Sequence, residues 1–390
     1  MTIEKSNSKH IPVLDGVRGL AILAVLLCHL AHFVWFDGVD SSLLLGLFGW
    51  GWAGVDLFFV LSGFLITGIL VDNKGSISYF QTFYWRRTLR IFPLYFGLLI
   101  IAWFLFPLFG IRTEVFTGSK NATPYFFSYL YNIYLFLFIQ GNPGALGPAW
   151  SLCIEEQFYF IWPVMVSILS RRALFKTCIG MFMLSFVTRL LFLSLGYTSD
   201  QSYYFTITRL DGLAVGAAIA LLVRRPHWAM DWKTKYSVVT KWCFACLIIA
   251  VAGVFLKNGY GWEPPMTNLF IFSILSLLSG SLLLLLLNPE ETPSLLQKFF
   301  SSKILRFLGK YSYGIYILHL AVIFIFDPYL NAIGIRLFSR HSLPLAFFKF
   351  FGDMALVLAT SFISYHLYEV HFLRLKNILV YPRHLLGAKS

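Results

Sequence analysis

A chain of 390 residues that is 58% hydrophobic and 13% charged, with 41 Phe and a mean hydropathy of +0.72, lies well outside the soluble balance of about a quarter charged residues. That composition excludes a water-soluble globular enzyme and implies a polytopic protein with a lipid bilayer around it. The net charge of +13 is scattered between apolar runs, so it reads as a topology signal, and no nucleic acid is expected as a partner.

The polar leader Met1 to His10 meets an apolar segment with no small-residue cleavage site, so the first span is expected to be retained. Windows of about 20 apolar residues then fall at Val17–Phe36, Trp52–Val71, Phe92–Phe109, Trp150–Leu169, Phe175–Leu195, Phe205–Val223, Val238–Leu256, Leu269–Leu287, Ser312–Pro328 and Phe347–Tyr368. A further run, Pro124–Ile139, is aromatic and shorter. If it does not cross, the basic clusters Arg86-Arg87-Arg90, Arg171-Arg172-Lys176, Arg224-Arg225 with Lys233 and Lys235, Lys303-Arg306-Lys310 and Arg374-Lys376-Arg383 share one side with the N-terminus. The expected fold is therefore all-α: a bundle of about ten transmembrane helices with both termini cytoplasmic and a re-entrant or interfacial segment near 124–148. No internal repeat and no second domain stand out, so residues 1–390 read as one integral-membrane domain.

Ionisable residues inside such spans are costly and mark function by default. In the first span, Arg18 and His29 are eleven positions apart; at about 100° per residue that is about three turns, so both point the same way, about 16 Å apart along the axis. A cation near one membrane face and a titratable base deep inside follow from that spacing. The other reading of His29 is a helix-helix hydrogen bond that only packs. Asp56 lies in the second span, and Trp150-Ser-Leu-Cys-Ile-Glu-Glu-Gln-Phe-Tyr159 carries the adjacent carboxylates Glu155 and Glu156, at least one of which is expected to be buried with a partner or neutralised. A carboxylate beside an imidazole sets its tautomer and stabilises the imidazolium; the sequence does not choose among Asp56, Glu155 and Glu156 for that task.

Arg87 and Arg90, three apart, share a helical face beside Arg86, and forked guanidiniums suit phosphate groups; an anchor on lipid phosphates is the bland alternative. Arg209 and Asp211 resemble an intramembrane ion pair, structural or in contact with substrate. His319, with Asp353 and Glu369 in the last span, completes the polar set, and packing is the favoured reading of His319. Cys28, Cys153, Cys178, Cys243 and Cys246 read as packing residues; Cys243-Phe-Ala-Cys246 has redox spacing without a thioredoxin-like setting. Asn121-Ala-Thr123 is a glycosylation sequon only where the cell glycosylates that side.

Five motifs occur in order over almost the whole chain: Leu14-Asp-Gly-Val-Arg-Gly-Leu-Ala leading to His29, Val55-Asp-Leu-Phe-Phe-Val-Leu-Ser-Gly-Phe64, Arg86-Arg-Thr-Leu-Arg-Ile-Phe-Pro93, Trp150 to Tyr159, and Tyr311 to His319. Together they resemble the acyltransferase-3 family of integral membrane O-acyltransferases. The resemblance implies transfer of an acyl group, usually acetyl from acetyl-coenzyme A, to a hydroxyl of a carbohydrate or glycoconjugate acceptor, in a bacterial inner membrane. The family's arginine-to-histidine motif lands on Arg18 and His29, and its second arginine motif on Arg87 and Arg90. Many relatives carry a fused extracytoplasmic domain, which is not expected here. One departure is that Glu369 is followed by Val370-His371 where the family often has a basic residue and proline.

The expected chemistry has His29, oriented by Glu155 or Asp56, removing the proton of an acceptor hydroxyl as it attacks the donor thioester, while Arg18, Arg86, Arg87 and Arg90 hold the donor. Acyl-CoA is a substrate, and neither a bound cofactor nor a metal is called for. Glu156, Arg209, Asp211 and His319 form an acceptor-side or structural polar network. In a second form of the chemistry His29 is itself acylated first. A different class also remains: a proton-coupled transporter or exporter of a polysaccharide precursor or other polar solute would line a path with similar residues.

Overall fold

The computed structural model describes residues 11–36, 42–110, 114–138, 143–225, 237–258, 265–288, 292–376 and 378. Among these, regular structure is helical throughout and no strand occurs, as expected for a chain whose backbone groups must be satisfied without water. The leader 1–10, residues 139–142 of the predicted re-entrant segment, and Lys233, Lys235 and Arg383 lie outside the described residues.

The first helix, α1 (Pro12–Phe36), starts on a proline, with Asp15 in its first turn, where an acidic group suits the positive helix end. It is followed by α2 (Gly54–Asp72) and α3 (Tyr79–Ile100). Next come α4 (Tyr131–Phe138), α5 (Ala149–Ile168), α6 (Arg171–Ser194) and α7 (Leu210–Leu222). The remaining long helices are α8 (Ser237–Asn258), α9 (Pro265–Leu286), α10 (Lys303–Leu337) and α11 (Leu343–Ser364). The most extensive helix pairings are α1 on α10, α2 on α7 and α10 on α11. Two of these crossings bring backbones into direct contact. A Cβ at Gly19 would sit 1.9 Å from the Leu305 carbonyl oxygen, and one at Gly216 would sit 1.9 Å from that of Val60. Glycine is required at such approaches, which is how small residues drive helix association in a membrane.

Among the described residues, seven stretches are long and apolar enough to cross a bilayer: Pro12–Val34, Leu43–Asp72, Tyr79–Leu108, Arg171–Ser194, Leu269–Leu286, Lys303–Leu337 and Leu343–Leu375. The three other expected spans also form helices. In α5 the run Glu155, Glu156 and Gln157 interrupts the apolar composition, α7 is 13 residues long, and the apolar part of α8 is Ser237–Gly253. The segment after residue 123 forms Thr123–Phe127 and α4, of 5 and 8 residues, parted at Tyr129 with φ 55°; at 1.5 Å per residue neither is long enough to cross.

Two boundaries differ from the hydropathy reading. The helix expected at 312–328 is α10, which starts at Lys303 because the Ser302 hydroxyl accepts from the Leu305 amide at 3.4 Å, and which continues through Pro328. The helix expected from Phe92 begins at Tyr79. The basic clusters at 86–90 and 303–310 therefore stand on helices, not in loops, since a hydropathy window registers where apolar side chains are rather than where the backbone is helical. Several basic helix ends meet: Arg224 pairs with Asp72 at 2.6 and 2.7 Å, the Arg171 guanidinium donates to the Leu221 carbonyl at 2.5 Å, and Lys74 donates to the Leu169 carbonyl at 2.7 Å.

Candidate functional site

A cavity enclosing about 800 Å³, its open mouth included, lies where α1, α2, α3, α5 and α10 meet. Its cationic part is built from two helices. Arg18 comes from the second turn of α1, and Arg87 and Arg90 come from one face of α3. On α5 the spacing of four residues places Ser151, Glu155 and Tyr159 on one stripe facing the same space. Phe58, Phe59, Leu65 and Ile66 of α2 supply the apolar wall, and Tyr313 and Tyr316 of α10 close the far side.

The polar contacts within this wall are specific. The Tyr159 hydroxyl donates to Glu155 Oε2 at 3.2 Å and is bonded to Ser62 Oγ. The Arg87 guanidinium lies over the Tyr159 ring at 5.4 Å and the Phe83 ring at 6.0 Å, and Arg18 holds Asp15 at 3.3 Å. Tyr316 is hydrogen-bonded to Ser151 Oγ at 2.5 Å and donates to the Pro148 carbonyl at 3.0 Å, which ties α10 to the start of α5 at one end of the cavity. Three guanidiniums against one wall carboxylate, Glu155, make this a surface that attracts anions. Arg86 is not part of the wall, so of the four arginines expected to bind the donor the structure gathers three.

His29 is not among the residues that line the cavity. Its Nδ1 is 3.0 Å from the Val25 carbonyl and 3.2 Å from His319 Nε2, and the two rings are 4.9 Å apart at an interplanar angle of 50°. The Tyr316 ring stands 6.0 Å from His319. Neither Asp56 nor Glu155, the two carboxylates expected to orient His29, is hydrogen-bonded to it. Glu155 faces the cavity, and Asp56 Oδ1 accepts from Arg209 Nη2 at 3.0 Å, with both partners at most 1% exposed.

The expected pairing of Arg209 with Asp211 is corrected. Arg209 pairs with Asp56, while Asp211 Oδ2 binds Arg189 Nη1 at 2.9 Å and accepts from the Ser273 hydroxyl at 3.1 Å. Residues two apart near a helix start point to opposite sides, so the two charges reach different neighbours. The Arg209 guanidinium is enclosed by ring faces, with Phe272 at 3.9 Å and Tyr203 at 4.9 Å. Arg189 escapes the sequence reading although it is the lone cation of the apolar run 177–195. Tyr159, Tyr316, Ser62 and Ser151 were also missed. The successive spacing of four through Ser151, Glu155 and Tyr159 is the signal for two of them, whereas Ser62 and Tyr316 lie within the quoted motifs with no spacing that ties them to the charged residues. Glu156 leaves Oε1 buried without a hydrogen-bond partner and does not line the cavity. Of the cysteines, Cys28, Cys153 and Cys178 are buried in the packing, whereas Cys243 and Cys246 are exposed on α8.

The acyltransferase-3 family, described as an acyltransferase domain, matches residues 11–366. The chain belongs to the acyltransferase-3 family. Over 343 residues it is 31% identical to the peptidoglycan O-acetyltransferase OatA of Listeria monocytogenes, covering 83% of this chain and 51% of that protein. Over the same length it is 33% identical to the putative peptidoglycan O-acetyltransferase YrhL of Bacillus subtilis, covering 83% of this chain and 50% of that protein. A putative O-acetyltransferase of Staphylococcus aureus is 26% identical over 380 residues, covering 93% of this chain and 57% of its own length. The chain thus spans about half the length of the curated relatives it matches. No solved structure matches it.

Proposed function

We propose that this acyltransferase-3 chain is a membrane O-acetyltransferase that moves acetyl from acetyl-coenzyme A to a hydroxyl of a cell-wall carbohydrate, peptidoglycan being the acceptor that its relatives' names favour. The observation that carries this reading is the convergence of Arg18, Arg87 and Arg90 on one wall of the cavity between α1, α3 and α5. Planar guanidiniums bind phosphate oxygens in pairs, so they hold the coenzyme's phosphates, and Glu155 and Tyr159 border the same space. The thioester arm then extends along Phe58, Ile66 and Tyr316 over the three turns of α1 that separate Arg18 from His29.

At that end His29 is the base. As the acceptor oxygen attacks the thioester carbonyl, its O–H bond breaks and the proton passes to the imidazole; collapse of the tetrahedral species breaks the C–S bond, and the proton leaves with the thiol. The same cluster favours this over the carrier reading, because a neutral solute needs no set of guanidiniums. The meeting of basic helix ends supports a topology of about ten spans with those ends and both termini cytoplasmic, and a place in the cell membrane.

The test uses the full chain in lipid nanodiscs, with labelled acetyl-coenzyme A as donor and soluble peptidoglycan oligosaccharides as acceptor. Saturable donor binding and label in the sugar are expected, both weakened by Arg87→Ala, with transfer alone lost in His29→Ala. Wild type that neither binds the donor nor transfers label would falsify the proposal.

A further inference from the structure

Hydrogen-bond arithmetic at the histidine pair identifies which nitrogen of each ring carries hydrogen. His319 Nδ1 lies 2.7 Å from the Tyr316 carbonyl and 3.1 Å from the Ile315 carbonyl. Carbonyl oxygens only accept, so this nitrogen is the N–H, and in a neutral ring Nε2 is then a bare lone pair. That lone pair faces His29 Nδ1 at 3.2 Å, and His29 Nδ1 also lies 3.0 Å from the Val25 carbonyl. Both neighbours of His29 Nδ1 are acceptors, so it too is the N–H. The free lone pair of His29 is left on Nε2.

We propose that His319 is the positioning residue of His29, holding the ring with Nε2 unprotonated and taking the share of the imidazolium charge that a carboxylate takes in other dyads; this rests on the transferase reading above. The need is physical. Asp56 is committed to Arg209, and Glu155 faces the cavity, so no carboxylate oxygen among the described residues is hydrogen-bonded to either ring. The Val25 carbonyl already sits at the acceptor position of a helical bond, which leaves His319 Nε2 as the acceptor without other duty. When the acceptor's O–H breaks and Nε2–H forms, His29 carries two N–H groups and one positive charge. The Nδ1–H bond to His319 Nε2 strengthens, and the proton can cross to it, leaving His29 neutral with Nε2–H and the charge on His319. Return of one proton to the departing thiolate restores both neutral rings, so the pair gains and loses a single proton per cycle. His319 itself is fully buried and is held by the last turn before it through Tyr316, so it is a fixed acceptor rather than a mobile one.

The test has two arms on the full chain in nanodiscs. Nitrogen NMR of [15N]histidine-labelled protein is expected to show His29 and His319 both as Nδ1–H tautomers, with a coupling across the His29 Nδ1 to His319 Nε2 hydrogen bond and a shifted His29 Nδ1 resonance in His319→Leu. A His29 found as the Nε2–H tautomer, or a resonance that does not move in His319→Leu, overturns the proposal. In the acetyl-coenzyme A to peptidoglycan oligosaccharide assay, His319→Leu should lower kcat about 10- to 100-fold with the donor KM unchanged, the range seen for outer-shell partners. His319→Gln, whose Oε1 can accept the same hydrogen bond, should recover most of that loss. Equal losses in the two variants, or no loss in either, overturn the positioning role even if the rings are paired. A wild type without transfer activity sinks the transferase reading instead, and the NMR arm then decides the pairing alone.

Discussion

Asp56→Ala is expected to destabilise the protein by about 3–5 kcal/mol, the cost of stranding one partner of a buried ion pair. The size follows from what Arg209 would keep. Its side chain is 0% exposed and its carboxylate partner is 3.0 Å away; Nε and Nη1 have no hydrogen-bond partner. Without Asp56 the cation retains only ring faces, those of Phe272 at 3.9 Å, Tyr203 at 4.9 Å, Phe59 at 5.7 Å and Trp150 at 5.9 Å. Such contacts contribute about 2 kcal/mol when desolvated and are present before and after the change, so they do not offset the loss. Replacing both partners, Asp56→Leu with Arg209→Met, removes the stranded charge and should come out neutral or more stable, by up to about 4 kcal/mol. Tryptophan fluorescence during titration of micelle-bound protein with SDS measures the folded fraction of all three proteins. A single variant as stable as wild type, or a double variant no better than the single one, would refute the reasoning. Asp56→Ala that keeps its stability yet loses acetyl transfer would instead return Asp56 to the service of His29.

Removing one guanidinium from the cavity should show in the donor alone: Arg87→Ala raises the KM for acetyl-coenzyme A about 10- to 100-fold, from 1.5–3 kcal/mol per charge-assisted hydrogen bond, whereas Arg86→Ala stays near wild type. Equal effects at the two positions in initial-rate measurements would count against the assignment of the cavity wall. Gly216→Ala places a methyl group 1.9 Å from the Val60 carbonyl and should cost about 1–3 kcal/mol by forcing α2 and α7 apart. The same SDS titration checks it, and a neutral result would mean that the helices do not touch there. Tyr316→Ala opens the end of the cavity next to Ser151, so the kcat/KM ratio of butyryl- to acetyl-coenzyme A should rise by about tenfold or more, at 1–3 kcal/mol per methylene accommodated. An unchanged ratio removes Tyr316 from the acyl end of the site.

Much of the first helix was legible because helical period alone puts Arg18 and His29 on one face, and the same rule joins Arg87 to Arg90. That Arg18 meets Arg87 and Arg90 depends on how α1 packs beside α3, which no local spacing encodes. The partner of His29 was less visible still, since His319 is 290 positions away and its motif reads equally well as packing. The pairing of Arg209 with Asp211 failed for a reason the sequence did contain, because two residues apart on a helix is the wrong spacing for mutual contact. Helix limits were misplaced at Lys303 and Tyr79, where polar first turns hide the helix from a hydropathy window although Ser302 offered a cap.

The buried charges divide into two sets by what surrounds them. Asp56 with Arg209, and Arg189 with Asp211 and Ser273, link α2, α6, α7 and α9 and are enclosed by protein on every side. Arg18, Arg87 and Arg90 have packing on one side and open cavity on the other, which leaves N–H donors for a ligand. The sets touch at Phe59, whose ring is both a wall of the cavity and a face of the Arg209 enclosure; Trp150, another face of that enclosure, directly precedes the cavity-lining Ser151. Loosening the Asp56 pair therefore reaches the apolar wall along which the donor arm is proposed to lie. A variant such as Asp56→Asn, which keeps an acceptor but loses the charge, should lose stability and donor affinity together, whereas Arg87→Ala should lose affinity alone; independent losses in Asp56→Asn would mean that α2 does not transmit between the two sets.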